Sequence, residues 1–470
     1  VLSKMNLIAR LKALVNRLLP RASFARSVGV LAGGTAVAQG IGVLALPLIT
    51  RLYTPEDFSV LAVFSSIVAI VSVAACLRLE IAIPLPETDE DAANLLALAL
   101  IFCTVASLAA CIAIWLFSSE IVTLLRQPKI EPYLWTIPLG IWLTSSYSAV
   151  QLWATRNKRF LAIARTRMVQ TLGSVGLQIV LGLTSGIGAL GLLLGQLIYC
   201  GAGSLGLLRT GWQIEKNLIK KISFQSLKAN LEKYKNFPKY STIEGLANCA
   251  ATDVPLLIIS SFVAGPEAGF LFLAMKVMVI PLGLIGRAVA NVYLSHAAEK
   301  RRQGELKSFT LDVIDGLFKS GVGPLIFIGI LAPAVSAPIF GDQWQRAGEV
   351  IAILTPWFLL NYISSPISMA LHVTQNQRKA LALQIAGLVI RVGLTLFAVK
   401  FMPIYVLEFY AFASALFYAI YFYVIASSVE IKSRDMLIAA KNNLFLTLIW
   451  VAAGGLLASV IQFITKSTLF

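Results

Sequence analysis

The chain has 470 residues, 58% of them hydrophobic and 13% charged, with a mean hydropathy of +0.80. A water-soluble globular protein of this size is excluded, and a polytopic membrane protein is implied. The formal net charge of +16 is no footprint for nucleic acid until its cations are placed relative to the bilayer.

The start of the chain, KMNLIARLKALVNRLLPR, puts Ile8, Leu11, Val15 and Leu18 on one helical stripe and Arg10 and Arg17 elsewhere. That pattern suits a helix lying on the inner leaflet, or an unstructured basic flank. This segment, residues 1–27, leads into a full-length span with no small-residue cleavage site, so the first span is expected to be retained. A span needs about 20 predominantly apolar residues. Thirteen stretches qualify: 28–50, 58–79, 92–117, 132–154, 166–184, 187–208, 239–262, 266–294, 312–340, 347–371, 380–399, 403–426 and 443–464. The expected organisation is all-helical. A first lobe of six spans covers 28–208, a basic linker 209–238 and a second six-span lobe 239–426. A loop with one additional span follows at 427–470.

With the N-terminus inside, the inner segments carry twenty-nine Lys and Arg against six outside. This bias follows the positive-inside rule and predicts a cytoplasmic N-terminus in a bacterial inner membrane. The basic excess is thus a topology signal, and nucleic-acid binding is not expected. Six is even, so both halves start on the same side. PLITRLYTPEDFSVLAVF from Pro47 and PLLIISSFVAGPEAGFLFLAM from Pro255 share a span end, a Pro-Glu turn and a new apolar start. Parallel repeats of this kind point to a transporter.

Sequences that would signal an enzyme or a metal site fail on inspection. GIGALG at 186–191 matches GxGxxG only formally, because it joins two apolar spans and follows no strand. No GxxxxGK[ST] occurs. The five cysteines, Cys76, Cys103, Cys111, Cys200 and Cys249, lie in apolar runs without CxxC or Cys/His spacing, and His296 and His372 are the only histidines. Neither a metal nor a cofactor is expected. The short outer loops leave no room for a catalytic domain, so the chain is read as no enzyme.

Away from the ends of the expected spans stand Lys276, Arg287, Lys319 and Arg391. An ionisable group at bilayer depth costs about 2.5–3.5 kcal/mol on insertion scales and normally faces a partner or a wet cavity. Lys276 and Arg287 are eleven residues apart, which on an unbroken helix returns to nearly the same face, with Pro281 between them as a kink. Two readings stand side by side. The cations line a path for an anionic headgroup, or the hairpin of spans seven and eight pairs Lys276 with Asp253 and Arg287 with Glu244 as structural ion pairs. Lys319 has Asp315 four residues before it, the favourable helical order. Arg391 has no acid at matching depth, since Glu408 sits about one turn nearer the outside. In span ten, Trp357 and Tyr362 beside Asn361 are candidates for stacking on sugar rings. Arg51, Arg78 and Glu80, at span ends in the first half, suit either gating contacts or interfacial anchoring, and Asp253 and Glu244 join them as candidates for coupling or gating.

LAGGTAVAQGIGVLALPLITRLYTPEDFSVLAVFSSIVAIVSVAACLRLEIAIPLPETDEDAANLLALAL, residues 31–100, resembles the Wzx-type flippases of O-antigen and exopolysaccharide repeat units. These belong to the polysaccharide branch of the multidrug/oligosaccharidyl-lipid/polysaccharide exporter superfamily. The TRLYTPEDF turn and the LRLEIAIPLP exit carry the likeness. It implies two six-helix lobes around a central cationic cavity, open alternately to each side, and an undecaprenyl-pyrophosphate-linked oligosaccharide as cargo. Arg391, Lys276, Arg287, Lys319, Asn361 and Tyr362 are then the candidate headgroup contacts. Membrane lipids, a polysaccharide polymerase and chain-length proteins are the implied partners, and H+ or Na+ coupling is left open. A cation-coupled drug exporter with Asp253 as its ion site, or a membrane enzyme acting on lipid-linked sugars, are the alternatives. A thirteenth span departs from the twelve or fourteen common in that family.

Overall fold

The computed structural model describes residues 22–184, 188–209, 222–263, 265–374 and 376–467. The amphipathic stretch expected before residue 22 lies outside the described residues, as do Gly186 and Ile187, the first two residues of GIGALG. Every regular element among the described residues is a helix.

Helix ends fall where the sequence supplies caps. α1 (Ala22–Leu52) stops at the TRLYTPEDF turn, where α2 (Pro55–Ala75) begins with a reciprocal cap. Thr54 Oγ1 accepts from the Asp57 amide at 3.2 Å, and Asp57 Oδ2 accepts from the Thr54 amide at 3.0 Å. Pro55 suits the first helical position, where its missing N–H would have no partner. Beyond α2, Leu77 and Arg78 adopt left-handed φ values of 51° and 58°. They turn the chain into the short helical turn Leu79–Ala82, which buries Glu80. α3 (Asp89–Leu125), α4 (Thr136–Arg156), α5 (Phe160–Gly182) and α6 (Leu190–Gly201) complete the first lobe. In the linker, Ser223 caps α7 (Phe224–Lys233), whose Asn230 and Lys233 donate to Asp91 of α3.

The second lobe holds α8 (Thr242–Phe262), α9 (Glu267–Pro281), α10 (Arg287–Arg302), α11 (Leu306–Leu317), α12 (Gly323–Phe340), α13 (Gln345–Ile367), α14 (Gln377–Phe401) and α15 (Val406–Ser428). Pro281 is followed at once by a π-helical turn, Leu282–Gly286, that separates α9 from α10. A second π turn, Phe318–Val322, separates α11 from α12. α16 (Ser433–Asn442) is tied to α11 by the Lys307–Asp435 ion pair at 2.7 Å, and α17 (Leu444–Ser467) packs along α12, with Trp450 edge-on to Phe327.

Helix pairing repeats between the lobes. α1 packs on α5 as α8 packs on α14, and α3 on α4 as α12 on α13. In the same way α5–α6 matches α14–α15, and α2–α4 matches α9–α13. The architecture is therefore two pseudo-symmetric six-helix lobes plus the extra helix α17. Pro47 and Pro255, the start of the sequence repeat, sit inside the corresponding helices α1 and α8. Among the described residues, nine helices are long and apolar enough to cross a bilayer by themselves. The other four expected spans coincide with α4, α5, α6 and the α9–α10 pair, which are shorter, broken or more polar.

The lobes meet along α2, which packs on both α8 and α9. At the end of the bundle opposite the basic loops, called here the far end, each lobe caps helix ends of the other. Gln343 donates to the carbonyls of Thr50 (3.1 Å) and Tyr53 (3.3 Å), and Trp344 Nε1 to Thr50 (2.8 Å). Arg51 donates to the Pro338 carbonyl at 2.9 Å, and Gln127 to Ser260 at 2.6 Å. The last carbonyls of a helix lack intrahelical partners, so these bonds satisfy groups that would otherwise need water. Trp344, fully buried, stands edge-on to Phe58 and Phe270. The Gly269 amide donates to Ser59 Oγ at 2.9 Å, where the lack of a side chain lets α9 close on the Pro55 carbonyl.

Candidate functional site

Three of the four expected spans that fall short in length or apolarity, α4, α5 and α6, build a cavity together with α2. A space of about 460 Å³ is lined by α2 (Ser65, Val68), α4 (Thr144, Tyr147, Gln151), α5 (Arg167) and α6 (Gln196, Tyr199, Cys200). Polar residues are tolerated at bilayer depth where the helix faces a cavity instead of lipid. On α5 they recur at helical spacing, as Arg167, Gln170, Thr171, Ser174 and Gln178, the last four of them buried. That stripe turns α5 toward the lobe interior.

Arg167 is the cation of this cavity. Its Nη2 donates to Gln151 Oε1 at 2.7 Å, and its guanidinium carbon lies 4.7 Å from the centre of the Tyr147 ring. Lys276, in the second lobe, lies outside the cavity lining but acts on it. Its ammonium stands 5.1 Å from the Phe272 ring centre, and both Lys276 and Arg167 act electrostatically on Cys200 of the cavity wall. Among the described residues, neither cation has a carboxylate within 4 Å, whereas nine other ion pairs form. One cation without a carboxylate partner among the described residues thus stands on a polar wall of hydroxyl and amide groups, with a second near it. Such a surface suits a doubly charged anion flanked by hydroxyl-rich groups.

The hairpin pairing of Lys276 with Asp253 does not form. It presupposes that α8 and α9 lie side by side, but they diverge: α8 packs on α2 and α14, and α9 on α2 and α13. Asp253 instead accepts from Ser66 Oγ of the other lobe at 3.1 Å and from Cys249 Sγ at 3.3 Å. The stripe through Lys276 and Arg287 is also lost, because the i→i+5 turn at Leu282–Gly286 shifts the helical phase between them. The side chain of Arg287 lies outside the described residues. Glu244 lines a second pocket together with Arg78.

Lys319 is paired as its spacing predicts, at 2.5 Å from Asp315, and is largely exposed. Arg391 is only 3% exposed and does not line the cavity. Its Nη1 donates at 3.3 Å to the Ala251 carbonyl and to Thr252 Oγ1 of α8, and its guanidinium carbon lies 4.4 Å from the Phe417 ring centre. The expected absence of an acid partner holds among the described residues, and π faces and a backbone carbonyl take that place. Glu408, the nearest acid by sequence, binds Arg346 at 3.2 Å. Tyr362 is fully buried, sharing a 3.0 Å hydrogen bond with Ser320 Oγ, and Trp357 packs edge-on to Tyr410. These rings are core, and half-buried Asn361 stands beside them away from the cavity lining. Arg51 belongs to the far-end contacts. Arg78 stands 3.9 Å from Glu80, whose carboxyl is pushed above its usual range by burial.

Arg167 is the residue that sequence reasoning missed. It counts as one of five inner cations at 156–167, yet α5 starts at Phe160 and carries Arg167 two turns into the bundle. The polar stripe that follows it was the available signal.

Residues 48–349 match the model of a family described as polysaccharide biosynthesis protein. A comparison with curated proteins finds no match. Among solved structures, the chain is similar to the lipid II flippase MurJ in an inward closed conformation, with a TM-score of 0.71 and 14% identity over 93% of this chain and 98% of that one. It is also similar to a multidrug resistance MATE family transporter of the MOP superfamily in its inward-facing conformation. There the TM-score is 0.62 at 17% identity, over 83% and 94% of the two chains. A MOP superfamily transporter from Pyrococcus furiosus matches with a TM-score of 0.52 at 15% identity over 86% and 95%. At such identities the likeness establishes the fold. The match over most of the chain assigns this protein to the polysaccharide biosynthesis protein family, and the two matched six-helix lobes give it the fold of these transporters.

Proposed function

We propose that the protein is a flippase that carries an undecaprenyl-pyrophosphate-linked oligosaccharide from the cytoplasmic to the periplasmic leaflet by alternating access. The observation that carries this reading is Arg167, with no carboxylate within 4 Å among the described residues, on the polar wall of the cavity, with Lys276 of the second lobe near enough to act electrostatically on the same wall. A pyrophosphate supplies the missing counter-charge. Gln151, Gln196, Thr144 and Tyr199 supply donors and acceptors for sugar hydroxyls, and the lipid tail stays in the bilayer. This replaces Arg391 by Arg167 as the first-choice phosphate contact. The far-end contacts hold the periplasmic side shut in this state, so loading takes place from the basic, cytoplasmic side. Asp253, which has hydroxyl and thiol donors but no cation beside it, is the position at which H+ or Na+ coupling is assigned.

The test is delivery of the lipid-linked sugar to the outer leaflet of proteoliposomes, read by accessibility to an external glycan-modifying enzyme. Arg167→Ala with Lys276→Ala is expected to abolish delivery while the protein stays folded and monodisperse. Unchanged delivery in that double variant defeats the electrostatic mechanism. The drug-exporter alternative makes the opposite prediction, because organic cations would bind better once both positive charges are gone.

A further inference from the structure

A second pocket, of about 200 Å³, lies on the seam between the lobes at the basic end. Arg78 and Ile81 from the turn after α2 form one wall. Ser241 just before α8, Glu244 and Asn248 of α8, and Gln384 of α14 form the other. Gly245 makes the pocket possible, because the Arg78 guanidinium lies flat where a Cβ would stand. None of the four polar side chains on the α8–α14 wall makes a hydrogen bond or ion pair among the described residues. Arg78 Nε is buried without a partner among the described residues, and the only carboxylate found there within 4 Å of the guanidinium is that of Glu80, at 3.9 Å. The pocket thus presents one cation and one anion, both under-used, and three neutral hydrogen-bonding groups.

Its surroundings say where it opens. Ile81, Tyr240, Ile243, Leu381 and Ile385 beside it are all exposed apolar side chains, which is the surface of a helix bundle facing lipid. One turn further toward the basic end stand Lys239, Arg378 and Lys379. An apolar flank on one side and a row of cations on the other mark the headgroup depth of the leaflet. The pocket is also some two to three turns of α2 from the cavity residues Val68 and Ala69. It is therefore separate from the cavity that holds Arg167.

We propose that this seam pocket binds the headgroup of a zwitterionic phospholipid that carries a primary ammonium, with the phosphate on Arg78 and the ammonium on Glu244. A phosphate ester satisfies the guanidinium with charge-assisted bonds. A primary ammonium can donate to Glu244, Asn248 and Gln384, which a quaternary ammonium cannot. One lipid seated there touches the turn after α2 in the first lobe and α8 and α14 of the second, so it bridges the seam on this side. The assignment does not depend on what the central cavity transports.

The test uses the full chain in nanodiscs of equimolar phosphatidylethanolamine, phosphatidylglycerol and phosphatidylcholine, with retained lipids counted by native mass spectrometry. The wild type is expected to retain one phosphatidylethanolamine in preference to the other two. Glu244→Gln, which keeps shape and hydrogen bonding, is expected to lower that preference about tenfold, the worth of one charge-assisted bond. Arg78→Gln is expected to lower retention of all phospholipids. Equal retention of the three lipids by the wild type, or an undiminished preference in Glu244→Gln, overturns the proposal. Displacement of the lipid by soluble phosphoethanolamine at equal concentration also overturns it, because the site then reads a free phosphoester. If added lipid-linked oligosaccharide displaces it one for one, the pocket belongs to the cargo. That outcome overturns this assignment and leaves the transport reading intact.

Discussion

Arg167 and Lys276 differ from the ion-paired cations of the bundle in their surroundings. Lys319, Arg346 and Lys307 each have a carboxylate within 4 Å, in exposed or half-buried pairs. Arg167 and Lys276 do not, although both stand where insertion is costly. Arg167 also receives an oriented planar setting from Gln151 and Tyr147. A lysine at that site would keep the charge and lose the fork. Arg167→Lys is therefore expected to retain weak delivery of the lipid-linked sugar, and Arg167→Ala to lose about tenfold or more, from the 1.5–3 kcal/mol of a hydrogen bond to a charged group. Proteoliposome transport at matched protein levels checks both. Glu80 makes a separate prediction. Burial raises its carboxyl above the ordinary range despite the pull of Arg78. A carboxyl whose folded pKa is raised favours the fold at low pH and loses that contribution as pH rises through the folded value. Glu80→Gln should thus raise the melting temperature at pH 8 and change it little at pH 5, as differential scanning fluorimetry in detergent can read.

At the scale of elements, the sequence signals explain where helices start, and close packing explains how they meet. TRLYTPEDF is a capping box with Pro at the first helical position, so its persistence as a recognisable string has a local cause. Gly269 is the counterpart in the second lobe, where the backbone itself donates to Ser59 and packs on the Pro55 carbonyl. A β-branched side chain at this crossing cannot be absorbed by rotamer change, because the atom it meets is backbone. Gly269→Val is expected to separate α2 from α9 at the far end and to make Ser59→Cys, introduced in the same chain, reactive to a membrane-impermeant thiol reagent. Ser59→Cys alone should stay protected. The Lys307–Asp435 pair joins α11 to α16, and Asp435 also accepts from the Lys432 amide. These contacts hold its carboxyl below the usual range. Their support is present above the ordinary carboxylate range and is lost as pH falls through the lowered value.

For the whole molecule, the far-end contacts are the element that alternating access has to break. Six cross-lobe hydrogen bonds hold it, each worth about 1 kcal/mol net. The sum is a few kcal/mol, which is the scale of a switchable equilibrium. With Arg51→Cys and Gln343→Cys joined by a short thiol cross-linker, in a background with the five native cysteines replaced, delivery should stop. It should return on cleavage of the linker. Continued delivery in the cross-linked protein would mean that the far end is not the exit.

Much of this architecture was legible in the chain itself, for reasons that are local or compositional. Apolar length counts spans, caps and prolines place their ends, and the parity of six with its paired Pro-Glu turns foretells two matched lobes. The distribution of Lys and Arg predicts a basic face on the same grounds. Which charge meets which was not legible, because a helical period fixes the spacing of side chains but not the rotation of one helix against another. α8 and α9 are neighbours in sequence and diverge in space, so Asp253 turns to Ser66 and Lys276 turns to the wall of Arg167. Arg391 follows the same logic in reverse. By position it is a free cation at mid-membrane; by packing it is enclosed by Phe417, Tyr418 and a carbonyl of α8. The sequence determined that the chain is helical and where most of its long helices begin and end. The tertiary packing decided which polar faces share a cavity, because that depends on contacts between segments far apart in the chain.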